Sequence, residues 1–432
     1  MIKKILGISF IAFITFFQLS CSSKNERNPN KLLYWSSNNT QEIDFARYIV
    51  NAWNNNHQTQ QISFQPVPEG QSSEEIILAA VVGKTTPDIY SNMWQGDVED
   101  YARAGVLVAL DTLKGFKDFI YSRCDSAVVK EVTSTDGHIY QIPWKINPIM
   151  LIYNSNIIKN LGLKEPPKDY SQFDSASEKF KDENINSEGY VTKWFGYAEV
   201  LVTWWQRFFD FYPLYLAASG GAPLVKDNKA AFDNKYAVEV FSFLQNLYAH
   251  NYFAKERLSA RQDVFLSGII ATRFTGPWEI AHSEKFKPEG FEYNFTHMPV
   301  PDDHTGPVYT YCDPKNIVIF KTCPNPQLAW DFIHFMIDKE NDLKLLEFTN
   351  QLPRRKDLEQ DQFFSEYFKK NPKMVEFAKQ SKYVRGIDQY TNMTEVFDII
   401  SQEYESCVIY GKKTPAEAIH EAAKQVNLLY LK

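Results

Sequence analysis

The sequence predicts an α/β protein divided into two lobes, and three observations support this prediction. The chain has 432 residues, which is more than one ordinary hydrophobic core accommodates, so two or more domains are expected. Strand and amphipathic-helix patterns alternate near its start, as in a parallel sheet. The stretch Gly137–Asn154 contains two short apolar runs joined by a bend with two prolines, and such a stretch can carry the chain from one lobe to another.

The composition is that of a soluble globular protein, with 44% hydrophobic and 23% charged residues. The net charge of −7 argues against nucleic acid as the main partner. The sequence has no Cys-x-x-Cys pair and no histidine-rich cluster, so it predicts neither a metal site nor a cofactor.

Residues 1–21 form a targeting segment rather than part of the fold. Lys3 and Lys4 precede a short apolar run, which is typical of a secretory signal and too short for a comfortable membrane-spanning helix. Leu19-Ser20-Cys21 resembles a bacterial lipoprotein cleavage box, which predicts lipidation of Cys21 and a membrane anchor; a plain cleaved signal peptide is the alternative. Residues 22–30 are polar and predict a flexible tether.

Four further cysteines follow the targeting segment, namely Cys124, Cys312, Cys323 and Cys407. In an exported protein they can form disulfides with three possible connectivities. Buried free thiols are the alternative, and the sequence does not separate the two.

The first elements place two candidate binding residues at the edge of a sheet. Leu32–Trp35 predicts a strand, residues 43–53 predict a helix, and Ile62–Val67 alternates like a second strand. In parallel sheets ligands bind beyond the carboxyl ends of the strands. Trp35 and Asn38 follow the first strand at such an end, with core packing as the alternative for Trp35.

A helix over Glu74–Val82 leads through Gly83-Lys-Thr-Thr-Pro-Asp88 into the next strand. Met93-Trp94-Gln95-Gly96-Asp97 follows that strand, so Trp94 and Asp97 lie at another carboxyl end and are candidate binding residues.

Within Gly137–Asn154, the apolar segment that begins at Ile139 is predicted to stop at Pro143, and Ile149–Tyr153 predicts a buried strand. Trp144 lies at the bend and is a further candidate. Two core strands of a single domain would give the same local pattern.

The second half of the chain adds aromatic candidates. Residues 203–215 are strongly aromatic, and most of them are predicted to be core. A short strand is predicted to end at Gly276, which places Trp278 just beyond it. Tyr311 lies in a predicted strand ahead of a second strand over 317–320, and residues 326–337 predict a helix.

Taken together, these segments resemble the family 1 extracellular solute-binding proteins, which are maltose-binding-protein-like. The resemblance covers about residues 31–430 in the right order. It rests on Asp136-Gly-x-x-Tyr-x-x-Pro143 with Tyr153-Asn154, Pro87-Asp88, Gly276-Pro-Trp278, Ala329-Trp330-Asp-Phe-Ile333 and Gln351-Leu-Pro-Arg354. It implies a two-lobed periplasmic-binding-protein fold of the class II type, with a ligand cleft between the lobes and a hinge of about three crossings.

The domain boundaries are predicted on the same basis. The N-terminal lobe is expected to hold residues 31–142 and 300–348, and the C-terminal lobe residues 143–299 and 349–432. The chain is expected to cross between them near Gln141–Ile146, Asn294–Pro301 and Glu347–Pro353.

The resemblance implies a monomeric binding protein of an ABC importer, anchored by its lipid and facing the periplasm or cell exterior. It would capture a sugar or oligosaccharide and deliver it to the permease subunits. Aromatic rings pack on sugar CH faces while polar groups bond hydroxyls, and aromatic residues make up 15% of this chain. The predicted ligand contacts are Trp35, Asn38, Trp94, Asp97, Trp144, Trp205, Trp278, Tyr311 and Arg354.

Two alternatives stay open. One is an exported glycan-binding lipoprotein without a transporter. The other is a glycoside hydrolase, which would need two carboxyl groups flanking the bond from among Glu42, Asp97, Glu279 and Asp313. The sequence contains no G-x-S-x-G, H-E-x-x-H, P-loop or G-x-G-x-x-G motif, and no catalytic residue is predicted.

Overall fold

The fold is known from a computed structural model, which describes residues 27–69, 72–198, 200, 203–258, 263–356 and 358–431. The signal segment, Cys21 and most of the predicted tether lie outside these residues. The strands are β1 Lys31–Ser36, β2 Gln61–Pro66, β3 Ile89–Trp94, β4 Ile142–Ile146, β5 Met150–Asn154, β6 Trp194–Tyr197, β7 Val225–Lys226, β8 Lys229–Ala230, β9 Ile270–Thr275, β10 Tyr293–Thr296, β11 Thr310–Tyr311, β12 Lys315–Ile319, β13 Leu352–Pro353 and β14 Val384–Arg385.

Helices follow most strands. They are α1 Thr40–Asn56, α2 Ser73–Val82, α3 Val98–Arg103, α4 Phe116–Arg123, α5 Ser126–Glu131, α6 Ser155–Asn160, α7 Tyr170–Asp182, α8 Phe211–Ser219, α9 Lys235–Ala249, α10 Trp278–Phe286, α11 Pro326–Met336, α12 Lys339–Thr349, α13 Ser365–Lys370, α14 Pro372–Gln380, α15 Met393–Tyr404 and α16 Pro415–Leu429. Among the described residues, no helix combines the length and apolar character needed to cross a membrane.

The first lobe is built on a six-stranded sheet in the order β13-β4-β12-β3-β1-β2. β1 pairs in parallel with β2 and with β3, whereas β12 runs antiparallel to both β3 and β4. The predicted β-α-β opening is therefore confirmed. The carboxyl ends of β1 and β3 lie at one edge of the sheet, and Trp94 at the end of β3 packs against residues of the second lobe.

The second lobe is built on a four-stranded sheet in the order β10-β5-β9-β6. Its core contains many of the rings of residues 208–253 together with the terminal helices α15 and α16. A second apolar cluster on the same lobe includes residues from β5, β9 and α14. Helices thus cover both sheets, and the predicted two-lobed α/β fold is confirmed.

The chain passes between the sheets at three places. Residues 147–149 join β4 to β5, residues 312–314 join β11 to β12, and the chain leaves β13 after Pro353. The first two segments run side by side, because the Ile149 amide donates to the Tyr311 carbonyl over 2.9 Å and the Thr310 hydroxyl to the Ile149 carbonyl over 2.7 Å.

The observed crossings differ in position from the predicted ones. The apolar segment does not stop at Pro143, because β4 continues through it to Ile146 beside an irregularity in the pairing with β12, and proline is tolerated at such irregularities. The six-stranded sheet therefore includes residues 143–146 and 352–353. Residues 300–311 stay with the second lobe, since Val300 bridges to Asp169 and β11 pairs with β14; β11 and β12 thus lie in different sheets.

Candidate functional site

Trp94 ends β3 in the first lobe and inserts its ring among residues of the second. The ring is 1% exposed, and its centroid lies 4.8 Å from that of Trp204 and 5.5 Å from that of Phe208. A Cβ on Gly96 would lie 2.2 Å from the Trp94 ring, so only glycine at this position lets the ring fold back over the chain. The sequence Trp-Gln-Gly therefore fixes the direction of the ring.

The short helix Trp204–Phe209 supplies rings on two faces. Trp204 and Phe208 face Trp94, whereas Trp205 and Phe209 pack edge-on against each other at 6.5 Å between centroids. The segment therefore places Trp204 and Phe208 toward the first lobe and Trp205 and Phe209 on a different side.

A buried ion pair fixes this segment in place. Arg207 and Asp210 are each 1% exposed, and their charged groups are 2.9 Å apart. The guanidinium of Arg207 also lies 3.7 Å above the centre of the Tyr404 ring, which is a favourable cation–π geometry. These contacts tie the helix to α15 in the lobe core.

Trp278 opens α10 after β9 and lies at the accessible end of the same aromatic surface. It is partly buried, and its ring is 6.1 Å from Phe209, edge to face. A Cβ on Gly276 would lie 2.2 Å from the Trp278 ring. Each lobe therefore presents a tryptophan that folds over a glycine two residues away.

Tyr311 joins the aromatic surface from the second crossing. Its hydroxyl accepts a hydrogen bond from Nε1 of Trp94 over 3.3 Å and donates to Asp313 over 3.4 Å. Its ring lies 4.9 Å from Phe208. Two predicted site residues, Trp94 and Tyr311, are thus in direct contact.

A buried polar chain lies beside the crossings. The Lys145 ammonium is 2.7 Å from the Glu42 carboxylate, Gln351 donates to Glu42 over 2.7 Å, and Asn147 donates to Gln351 over 3.1 Å. Burial by itself raises the pKa of Glu42, but the Lys145 charge and the hydrogen bonds outweigh it and hold the pKa below its usual value. Glu42 is therefore an ionised carboxylate that joins α1 to two of the crossings.

Asp97 follows Trp94 in a different environment. Burial, with the nearby charges of Glu74 and Asp100, raises the pKa of Asp97 to about 8, and Lys315 opposes this only in part. The ammonium of Lys315 is 3.6 Å from both Glu74 and Asp313. Asp97 is therefore largely protonated at neutral pH and able to donate as well as accept a hydrogen bond.

The structure separates the remaining predicted contacts from the aromatic surface. Trp35 packs against other residues of the first lobe at 7% exposure, with no hydrogen-bond partner for Nε1 among the described residues, and Asn38 is exposed. Trp144 is 1% exposed in the core of the first lobe, 6.2 Å from Phe45. We therefore leave Trp144 out of the site proposed below.

Arg354 lines a cavity rather than the aromatic surface. The cavity has a volume of about 950 Å³ and lies between α5 of the first lobe, the chain after β13, and residues 223–226 and 381–390 of the second. The guanidinium of Arg354 is 3.7 Å from Glu131 on its rim. The described residues that line the cavity do not include Trp94, Trp204, Phe208 or Tyr311, so the cavity is separate from the aromatic surface.

The sequence analysis did not predict that Trp204, Phe208 and Phe209 belong to the aromatic surface. It predicted a ligand contact at their neighbour Trp205 instead. Trp205 is 36% exposed and shares its face with Phe209, on the side of Trp278. Their spacing gave no reliable signal, because the segment forms a 3₁₀-helix, in which residues three apart rather than four apart share a face.

The cysteines and metal-binding groups add no further site. Cys124, Cys312, Cys323 and Cys407 are all buried free thiols in the structure, so the disulfide alternative is not realised. Within the described ranges, no group of three or more histidine, cysteine or acidic side chains could hold a metal ion.

Residues 48–376 match the family model described as bacterial extracellular solute-binding protein. Among curated proteins, the chain is similar to the maltodextrin-binding protein MdxE of Bacillus subtilis, with 27% identity over 242 residues, covering 52% of each chain. It is also similar to a maltotriose-binding protein of Pyrococcus abyssi, with 22% identity, covering 74% of this chain and 65% of the relative. The match thus spans less than two thirds of either relative's own length.

Solved structures share the fold over nearly the whole chain. An uncharacterized protein of Listeria monocytogenes matches with a TM-score of 0.78 and 27% identity, covering 93% of this chain and 100% of that one. A cyclic α-maltosyl-1,6-maltose binding protein of Arthrobacter globiformis matches with a TM-score of 0.77 and 19% identity, covering 93% and 98%. The latter similarity concerns the fold alone.

Proposed function

Because the chain belongs to the bacterial extracellular solute-binding proteins, we propose that it captures an oligosaccharide between its lobes and delivers it to an ABC permease. The observation that carries this proposal is the aromatic surface contributed by both lobes. Trp94 comes from the first lobe, and the helix Trp204–Phe209 with Trp278 comes from the second. Maltodextrin and maltotriose are named as the ligands of two relatives, which favours an α-glucan oligosaccharide.

The chemistry of the surface fits a sugar. Trp204, Trp205, Phe209 and Trp278 are each at least partly accessible, so their rings can pack against the CH faces of successive sugar units. Asp97 follows Trp94 and is largely protonated at neutral pH, so it can donate a hydrogen bond to a sugar hydroxyl as well as accept one. Separation of the lobes would withdraw Trp94 and open the surface, which is a hinge motion about the three crossings.

A thermal-shift screen against maltose, maltotriose, maltotetraose, cellobiose and a uronic-acid disaccharide tests this function. A ligand stabilises the protein by RT ln(1 + [L]/Kd), about 2.7 kcal/mol at a concentration one hundred times Kd. We expect the maltooligosaccharides to raise the melting temperature and the uronate not to. No shift with any sugar of the panel, for protein shown to be folded, would contradict the proposal.

The two alternatives are separated by simple controls. Incubating the stabilising sugar with the protein and analysing it by mass spectrometry should return the sugar intact, whereas shorter products would indicate a glycoside hydrolase. Two permease genes beside the coding gene would favour the importer, and their absence would favour a glycan-binding lipoprotein without a transporter.

Export and anchoring form a further part of the proposal. The leader ends at Leu19-Ser20-Cys21, and two relatives of the chain are described as solute-binding lipoproteins. We propose that Cys21 carries the lipid and that the residues up to Arg27 connect it to the first lobe. Arg27 is bound there, with its guanidinium 2.9 Å from the Asp88 carboxylate and 2.9 Å from the Thr86 carbonyl.

We predict that metabolic labelling with a palmitate analogue marks the wild-type protein and not the Cys21→Ser variant. The physical reason is that a thioether-linked lipid requires the thiol of Cys21. Ser22→Ala serves as the matched control and should be labelled like wild type. Equal labelling of wild type and Cys21→Ser would defeat the lipoprotein assignment and leave export by a plain cleaved signal.

A further inference from the structure

The cavity of about 950 Å³ that Arg354 lines concentrates positive charge between the lobes. Among the described residues, seven basic side chains line it, against four acidic ones. Four of the seven belong to α5 or to the chain just after β13, and the other three belong to the second lobe. Because the whole chain has a net charge of −7, this surplus of positive charge is a local feature. We call this cavity the basic cavity.

Two of the acidic side chains in the basic cavity are already bound by the protein. The Asp388 carboxylate is 4% exposed and accepts from the backbone amides of Leu224 and Val225 over 2.7 and 3.0 Å. Glu359 forms an ion pair with Lys382. Both carboxylates therefore bind partners of the second lobe and do not neutralise the basic groups of the first.

Three basic side chains keep donors that the protein does not use. The guanidinium of Arg354, which is 13% exposed, is 3.7 Å from the Glu131 carboxylate, a separation longer than a hydrogen bond. Lys130 of α5 and Lys226 of β7 form no ion pair or side-chain hydrogen bond with the described residues. Donors of both lobes are therefore open to a ligand in the basic cavity.

Other contacts hold the walls of the basic cavity. Arg355, next to Arg354, is 2.7 Å from the buried Asp342, and Arg385 of β14 donates to the Gly221 carbonyl over 3.0 Å. β14 in turn pairs with β11 beside the second crossing. The backbone on each side of the cavity is thus held in place before a ligand binds, which lowers the cost of binding.

We propose that the basic cavity binds a small molecule that carries a diphosphate group, with Arg354 and Lys130 holding it from the first lobe and Lys226 from the second. Guanidinium groups bind phosphate oxygens in a bidentate manner, and ammonium groups bind phosphate as point charges. Two linked phosphates carry more negative charge than a single carboxylate, which favours them where carboxylates of the protein also line the wall. A volume of about 950 Å³ is typical of small-molecule sites, so an organic group attached to the diphosphate fits as well.

This binding activity goes beyond the capture of a sugar and does not depend on it. The described residues that line the basic cavity include none of Trp94, Trp204 and Trp278. Binding of a diphosphate and binding of a sugar can therefore be measured separately on the same protein.

Isothermal titration calorimetry of the ligand-free mature protein at constant ionic strength tests the proposal with sodium pyrophosphate, ADP and glucuronate. We expect pyrophosphate and ADP to bind and glucuronate not to, because one carboxylate offers too little charge. Tighter binding of ADP would identify an organic diphosphate as the ligand class, whereas equal or tighter binding of pyrophosphate would identify the inorganic ion. Absence of binding by both phosphates, or glucuronate binding as tightly as pyrophosphate, would overturn the proposal.

Variants of the unpaired basic groups locate the site. The double variant Lys130→Gln with Lys226→Gln should bind pyrophosphate about tenfold more weakly, since a charged contact is lost from each lobe. Arg354→Gln should weaken binding by a similar factor. Unchanged affinity in both the double variant and Arg354→Gln would show that the anion binds elsewhere and would overturn the assignment.

Lys424→Gln is the matched control, because Lys424 is an exposed lysine of α16 that pairs with Glu421 outside the basic cavity. It should bind pyrophosphate like wild type. A melting curve of each variant shows that it is folded. The double variant should bind maltotriose as wild type does, so a failure of the diphosphate site is distinguished from a failure of the sugar site.

Discussion

Asp342→Ala is expected to lower the free energy of unfolding by about 3–5 kcal/mol, because it leaves buried positive charge without a partner. Asp342 is fully buried and accepts from Arg123 over 2.6 and 3.1 Å and from Arg355 over 2.7 Å. Arg123 is itself 1% exposed. Urea denaturation monitored by circular dichroism measures the effect.

Glu347→Ala is the matched control on the same helix, α12. Glu347 pairs with Lys344 at the surface, and such exposed pairs contribute at most about 1 kcal/mol. If Asp342→Ala and Glu347→Ala lost the same stability, the buried ion network would not support α12 and the crossing that follows it.

Trp278→Ala is expected to weaken sugar binding by roughly 10–100-fold while leaving the ligand-free protein folded. Burying an aromatic side chain against a ligand contributes about 1.5–3 kcal/mol, and each ~1.4 kcal/mol corresponds to tenfold in affinity. Trp278 is only partly buried and reaches Phe209 on one side. Calorimetric titration with the sugar found by screening, and a melting curve of the apo protein, give the two quantities.

Trp330→Ala separates a binding role from a packing role. Trp330 is 3% exposed, packs against Phe116 and Phe119, and donates from Nε1 to the Lys114 carbonyl over 3.0 Å. Its truncation should cost about 3–5 kcal/mol of stability and leave the affinity of the folded protein unchanged. A Trp278→Ala variant that melted as early as Trp330→Ala, yet bound normally, would show that Trp278 is a core residue.

Much of the fold was predictable because local patterns agreed with the global arrangement. In the β1-α1-β2 opening, the strand and helix periodicities of the sequence match the elements that form. The crossings were harder. Pro143 appeared to end a strand, but β4 continues through it beside the irregular pairing with β12, and pairing between distant segments leaves no local signal.

The site was predictable only in part. Trp94 and Tyr311 meet as partners although 217 residues separate them, and Trp278 lies beyond a strand end as expected. Trp204 faces Trp94, whereas its neighbour Trp205 packs beside Phe209, and the buried Arg207–Asp210 pair holds this segment in place. Arg207 and Asp210 can be read in the sequence, but the sequence does not show that they pair or that Trp204, rather than Trp205, then faces Trp94.

Hydrogen–deuterium exchange with and without the stabilising sugar tests the central claim most directly, namely that the ligand is held between the lobes against the rings of Trp94, Trp204 and Trp278. We predict that the sugar slows exchange in both the 95–98 segment of the first lobe and the 204–209 and 276–280 segments of the second. Protection confined to one lobe, or to the residues lining the cavity at Arg354, would contradict it.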